Sequence, residues 1–348
     1  MKMHDRAKEV ANAVHDWLDD KSGRLREAVR KTVEENLFPN HDISFSLNHI
    51  RDVISDKRLR DWLESSLNNS KKPITKQTIL CLHAGNLPMV GFQDVIAVLL
   101  SGHRYFGKLS KKDPYVLKSF LDYLHENNIV EDFCCSTEIS ELPPFIADKV
   151  MFSGSGKNAL DVISLLKREK RTDKNTRFLI RTAHASAVWF DMEYGGWNDL
   201  IEAIFRYEGR GCRSVATIFT PNEPSEILNL LEQKATSFLT KNPPAGKPKP
   251  LLNYRQAYNQ AIRRPSVVLG NILIQESEPD LRKDHLVTVQ KASRDEARIF
   301  MDSAGAMLQS MYTNIPVAAE FEPLDSAQKP PINWKPDGVD SIEFLLDE

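Results

Sequence analysis

The run Thr78-Ile79-Leu80-Cys81-Leu82-His83-Ala84-Gly85-Asn86-Leu87-Pro88 changes character halfway. Its apolar first half has the length and composition of a buried strand. Its second half holds Gly, Asn and Pro, the residues of a tight loop. The apolar residues that follow predict a buried helix from Phe92 to Leu100, stopped at Ser101-Gly102, and Tyr105-Phe106-Gly107-Lys108-Leu109-Ser110 then predicts a second strand. Strand, helix and strand in about 30 residues is the size of one βαβ crossover. Such units build parallel sheets, whose ligands lie at the carboxyl ends of the strands. Leu117, Phe120, Leu121 and Leu124 place another helix after the second strand.

Upstream, residues 5–37 read as helix with a break at Ser22-Gly23, and Leu59, Trp62, Leu63 and Leu67 mark a further short helix closed by a loop over 68–73. No chemistry is visible there. Downstream, Val150-Met151-Phe152 reads as a strand and Leu160 to Leu166 as a helix, joined by Ser153-Gly154-Ser155-Gly156-Lys157. Small residues at that position let a backbone approach a phosphate at a helix N-terminus, although the same residues also make a plain glycine turn. Phe178-Leu179-Ile180 and Ala187 to Phe190 predict strands, and Trp197, Leu200, Ile201, Ile204 and Phe205 form one helical stripe.

That stripe leads into Tyr207-Glu208-Gly209-Arg210-Gly211-Cys212-Arg213-Ser214, ahead of a strand at Thr217 to Thr220. A thiol is a nucleophile only as thiolate, so a cysteine between small residues, exposed amides and arginines is the first candidate for covalent chemistry; a packed thiol in a turn is the other reading. Beyond a proline-rich loop over 241–250, a helix is expected near Tyr254 to Ile262, with strands at Val267 to Ile274 and His285 to Gln290. A long helix should open on the capping box Ser293-Arg294-Asp295-Glu296 and carry Phe300, Ala304, Met307, Leu308 and Met311 inward.

The 348 residues suffice for two domains. A formal net charge of -2 leaves no overall electrostatic footprint for nucleic acid or a membrane surface. No apolar run approaches the roughly 18 residues of a spanning helix, and the opening residues lack a signal-peptide core, so a cytoplasmic protein is expected. Cys81, Cys134, Cys135 and Cys212 show neither a CxxC spacing nor nearby paired histidines, so neither a metal site nor a disulfide framework is expected.

Taken together, four segments resemble the aldehyde dehydrogenase superfamily in order and spacing, and most closely its LuxC-like acyl-CoA reductase branch. His83-Ala84-Gly85-Asn86-Leu87-Pro88 is similar to that branch's AGN-(I/V)-P loop, Lys108-Leu109-Ser110 to the Lys-Pro-Ser cofactor strand, Phe152-Ser153-Gly154-Ser155 to the Phe-Thr-Gly-Ser turn, and Gly211-Cys212-Arg213-Ser214 to the nucleophile loop. The segment from Asp337 to Leu345 resembles the close of compact members. The resemblance runs from about Thr78 onward. It implies an aldehyde-dehydrogenase-like α/β fold: N-terminal helices and an NAD(P)-binding domain over 1–178, a catalytic cysteine domain over 179–315, and a tail over 316–348 packing on the body or a partner subunit.

It also implies the chemistry. Cys212 would attack the carbonyl of an acyl-CoA thioester and hold the acyl group, and nicotinamide would reduce it to the aldehyde. The Asn86 amide and the Cys212 backbone N–H would bind the oxyanion, while Lys108, Ser110, Lys111, Gly154 and Ser155 would hold the cofactor. Hydrolytic relatives carry a general-base Glu where this chain has Ile180-Arg181-Thr182-Ala183-His184, which fits transfer to CoA rather than to water. His184 is the remaining candidate acid or base in that loop. Many NAD-using relatives have Glu after Lys-Pro-Ser; Lys111 here favours a 2′-phosphate, hence NADPH. The expected partners are a small-molecule acyl-CoA, a second copy of the chain in a homo-oligomer, and an acyl carrier or acyl-transfer protein. Alternatives are an acyl carrier thioester or short-chain acyl-CoA as donor, or a cysteine acyltransferase without hydride transfer.

Overall fold

The computed structural model describes residues 3–67, 75–129, 133–154, 156–183, 185–246, 249–281, 285–316 and 320–347. Ser155, His184 and the loop expected over 68–73 lie outside them. The chain forms two compact units, Met1–Thr182 with Pro331–Glu348, and Ala183–Pro330. The expected division at residue 178 falls within a strand, Arg177–Arg181, that completes the first sheet.

The first unit opens with four helices, α1 (Met3–Asp19), α2 (Arg24–Glu34), α3 (Asn40–Val53) and α4 (Asp56–Ser66). Gly23 sits at φ 75 between α1 and α2, and both Asp20 carboxylate oxygens accept amides of the first turn of α2 (Leu25 N, 2.8 Å; Arg26 N, 3.0 Å), so the expected break is a capped corner. α3 went unread because Ile43-Ser44-Phe45-Ser46-Leu47 alternates like a strand.

Then come β1 (Thr78–Leu82), α5 (Phe92–Ser101), β2 (Arg104–Lys108), α6 (Val116–Glu126), β3 (Phe133–Ser136), β4 (Lys149–Ser153), α7 (Gly156–Arg168) and β5 (Arg177–Arg181). The five strands are all parallel, in the order β3-β2-β1-β4-β5. β1 is buried along its whole length, which is why it reads as an unbroken apolar run. α5 ends on Gly102 at φ 76, which supplies the left-handed cap. The short, half-buried edge strand β3 gave no sequence signal.

The second unit holds β6 (Ala185–Trp189), α8 (Trp197–Phe205), β7 (Val215–Thr220), α9 (Pro224–Lys241), α10 (Pro250–Ala261), β8 (Ser266–Leu269), β9 (Ile272–Glu276), β10 (Leu286–Lys291), α11 (Arg294–Ala304), β11 (Leu308–Thr313) and β12 (Glu322–Pro323). Its sheet runs β12-β11-β6-β7-β10-β9-β8, parallel except for the β8–β9 hairpin. Two expectations are corrected. Val267 to Ile274 is a hairpin rather than one strand, because Gly270 turns the chain at φ 56. The long helix keeps its capping box at Ser293 but stops at Ala304: Gly305 takes φ 52, and Leu308–Thr313 pairs with β6 as a strand.

Residues from Pro331 onward return to the first unit, where α12 (Ser341–Leu346) packs on α5. Gln93 Nε2 donates to the Ile332 and Trp334 carbonyls (2.7 Å each), and Trp62 Nε1 to the Asp340 carboxylate (3.1 Å). Buried Lys149 donates to the carbonyls of Leu345 (2.7 Å) and Asp347. Arg181 bridges Asp94 Oδ1 (2.7 Å) and Ser341 Oγ (2.7 Å) in the core. A buried guanidinium is tolerable only because it is paired in this way.

Candidate active site

In the first sheet Leu82 of β1 lies level with Lys108 of β2 on one side and Phe152 of β4 on the other. The chain therefore leaves all three central strands at one edge, and Asn86, Lys108, Ser110 and Gly154 line that edge. Between β1 and β4 the strand order reverses, the position at which open parallel sheets take their ligands.

The β1 loop is built into this edge. His83 N donates to the Lys108 carbonyl (3.0 Å), and a Cβ on Gly85 would collide with the Ser110 side chain, so only glycine lets the two loops meet. His83 is buried, with Nε2 2.6 Å from the Tyr105 hydroxyl, and burial pushes its pKa down to about 4. Met89 takes φ 61, and its amide donates to Asp113 Oδ2 (2.9 Å). Burial pushes the Asp113 carboxyl up to about 7, against that amide, and its Oδ1 has no hydrogen-bond partner. Asn86 is exposed between half-buried Gly85 and buried Leu87.

Lys108 is half-buried and its pKa lies below the usual lysine value through desolvation, while Lys111 is paired with Glu138 and held above it. The turn after β4 places Gly154 against the Phe152 ring, where a Cβ would not fit. Space is open beside Gly156, and the first turn of α7 carries no acid. These residues fit a dinucleotide: a helix N-terminus free of acids for the phosphates, and polar side chains at the neighbouring strand ends for the ribose.

Cys212 belongs to the second unit, in a loop unlike those strand ends. After α8 three successive residues, Tyr207, Glu208 and Gly209, take φ 56, 55 and 70. Non-glycine residues in that region each cost roughly 1–3 kcal/mol and persist only when clamped. Glu208 is the clamp: its Oε1 accepts the Ala245 amide (3.1 Å) and its Oε2 the Asn271 side-chain amide (2.8 Å). The next turn closes around the cysteine. Gly211 N donates to Ser214 Oγ (3.3 Å), Ser214 N to the Gly211 carbonyl (2.9 Å), and Ser186 Oγ to the Cys212 carbonyl (3.0 Å).

Cys212 is half-buried. The other three thiols are pushed up by burial: Cys81 well above its ordinary value, Cys135 to about 12, and Cys134 in the same direction. Glu208, Ser186, Asn271 and Asp113 were missed by sequence reasoning; the one available signal was Gly209, which marks a left-handed turn without showing what holds it. Among the described residues no group of three or more His, Cys, Asp or Glu is placed to hold a metal ion.

No family model and no curated protein matches this sequence. Solved structures do match its fold. Aldehyde dehydrogenase 21 from Physcomitrella patens, determined with its reaction product succinate, is 12% identical at a TM-score of 0.65, over 100% of this chain and 84% of that one. An NAD-dependent benzaldehyde dehydrogenase from Corynebacterium glutamicum is 12% identical at 0.65, over 92% and 77%. The aldehyde dehydrogenase KauB from Pseudomonas aeruginosa is 12% identical at 0.60, over 90% and 72%. The fold is aldehyde-dehydrogenase-like.

Proposed function

We propose that this protein is an oxidoreductase that reduces a fatty acyl-CoA thioester to the aldehyde through an acyl group carried on Cys212. The observation that carries the reading is the Cys212 turn: of four cysteines it alone sits in a hydrogen-bonded loop between a helix end and a parallel strand. In the reaction the Cys212 sulfur bonds to the thioester carbonyl carbon, the carbonyl π pair moves to oxygen, and collapse expels CoA thiolate. The Asn86 amide and the Cys212 backbone N–H are assigned to that oxyanion, worth about 3–4 kcal/mol for each such donor.

A bound nicotinamide supplies the hydride. Lys108 and Ser110 are assigned to its ribose end, and Gly154 with the first turn of α7 to its phosphates. Hydrolysis is disfavoured because the segment where hydrolytic relatives hold their base, Ile180-Arg181-Thr182-Ala183-His184, contains no carboxylate; its Arg181 is paired with Asp94 and Ser341. NADPH is the assigned donor, with Lys111 at the 2′-phosphate. Because Glu138 already pairs with Lys111, the preference over NADH is a small one.

Intact mass after incubation with palmitoyl-CoA tests the reading. Wild type should gain one palmitoyl group, lose it with release of aldehyde when NADPH is added, and Cys212→Ala should gain none. An unmodified wild type sinks the proposal. An adduct that NADPH leaves untouched replaces it with acyl transfer.

A further inference from the structure

α10 is amphipathic in the wrong sense. Leu252 packs into a small cluster with Leu273 and Leu286, and Asn259 bonds the Gln275 side chain (2.8 Å), so that side of the helix is fixed to the β8–β9 hairpin. Leu251, Tyr254, Tyr258 and Ile262 recur at helical spacing on another side and are 53, 72, 55 and 45% exposed. They are four of the eleven large hydrophobic residues exposed among the described residues, gathered on one twelve-residue helix and its C-cap. Scattered exposed apolar residues need no explanation, but an aligned stripe marks a binding face.

Charge identifies what the stripe faces. Residues 233–275 contain no Asp or Glu and seven Lys or Arg, in a chain whose acids outnumber its Lys and Arg by 48 to 46. The near-neutral total hides this run. Lys249 and Arg263 are exposed at the two ends of the stripe and Arg255 is half-buried beside it. Among the described residues none of these three makes an ion pair. A second copy would set like charge against like charge. Polyanionic nucleic acid would leave the tyrosines, leucine and isoleucine without an apolar partner.

We infer that α10 docks on an anionic phospholipid surface, lying along it with its apolar stripe among the acyl chains and its cations at the headgroups. Such helices bind through apolar area plus attraction to anionic lipid, and tyrosine is favoured at that boundary. The docking is peripheral, since no helix among the described residues is long and apolar enough to cross a membrane. It does not depend on the acyl-cysteine reading, although a surface rich in acyl chains would suit that substrate.

Co-sedimentation of the full chain with vesicles of phosphatidylcholine alone, or of equal parts phosphatidylcholine and phosphatidylglycerol, tests the inference. The wild type should bind the anionic vesicles, bind neutral ones far less, and dissociate as salt is raised. Tyr254→Ser with Tyr258→Ser should weaken binding by roughly tenfold or more through lost apolar area. Arg255→Gln with Arg263→Gln should weaken it as well, with circular dichroism unchanged in both variants because the residues lie outside the core. Absence of wild-type binding overturns the inference, as does binding that both variants retain. A halved mass of the tyrosine variant in light scattering, without vesicle binding, replaces the lipid with a second copy.

Discussion

The strand ends of the first sheet and the Cys212 loop of the second unit position side chains by different means. At the strand ends position comes from topology. Parallel pairing sets Leu82 beside Lys108 and Phe152, and whatever follows those strands reaches the same edge. The Cys212 loop has no such regularity: three left-handed residues precede it, and groups distant in sequence, Ala245, Asn271 and Ser186, hold it. A strand-end side chain placed by topology, such as Lys108, can be changed at little cost to the fold, although the β1 loop itself also rests on Gly85 and on the Asp113 contact to Met89. A clamped site loses geometry when a clamp is cut.

Asn86→Ala gives the largest contrast. It should slow aldehyde formation about 100- to 1000-fold, the cost of one oxyanion donor, in a protein that still melts cooperatively. Slow turnover accompanied by a large loss of stability would break the distinction between chemistry and scaffold at that edge.

Glu208→Ala comes next. Leaving the Ala245 and Asn271 donors without their acceptor should destabilise the protein by roughly 1–3 kcal/mol and slow carbamidomethylation of Cys212 by iodoacetamide. Glu208→Gln, which keeps one acceptor oxygen, should recover part of both. Thermal melts and alkylation rates that match wild type in the alanine variant would show that the left-handed turn needs no clamp.

The smallest effect is a slope. Asp113 has a folded pKa of about 7, raised from 3.8, so its contribution is fully present below 3.8 and is lost as pH rises through 7. His83, lowered from 6.5 to about 4, contributes fully above 6.5 and loses it as pH falls through 4. Between about pH 4 and 6.5 the two oppose each other. Asp113→Asn removes one side, so stability in that window should rise with pH more steeply than in wild type, by up to about 1.4 kcal/mol per unit. Urea unfolding at three pH values checks this; equal slopes would mean that Asp113 is not the opposing group.

The same division explains what could be read from the sequence. β1, α5 and β4 were legible because buried parallel strands and the helix packed on them are written as contiguous apolar runs, and α7 because its apolar residues recur at helical spacing. Asn86, Lys108 and Gly154 were placed by the resemblance of their loops to those of a known family, each at or within four residues of a strand end. α3 was hidden by a local period of two, and β11 by its continuity with the helical pattern of α11, a case in which pairing with β6 overrides the local signal. The Glu208 clamp was invisible in principle, since Ala245 and Asn271 are joined to it only by the fold.

The excursion from Ala183 to Pro330 leaves the first unit and returns to it, so the two units are completed at different moments of synthesis. By the time Pro330 leaves the ribosome, the second unit has its entire sequence in hand. The first is still missing the piece that covers α5, gives Arg181 the Ser341 hydroxyl and gives Lys149 its two carbonyls. A nascent chain stalled before Ser341 would thus carry a finished insert within an unfinished host, with an apolar helix face and a buried-type lysine open to chaperones.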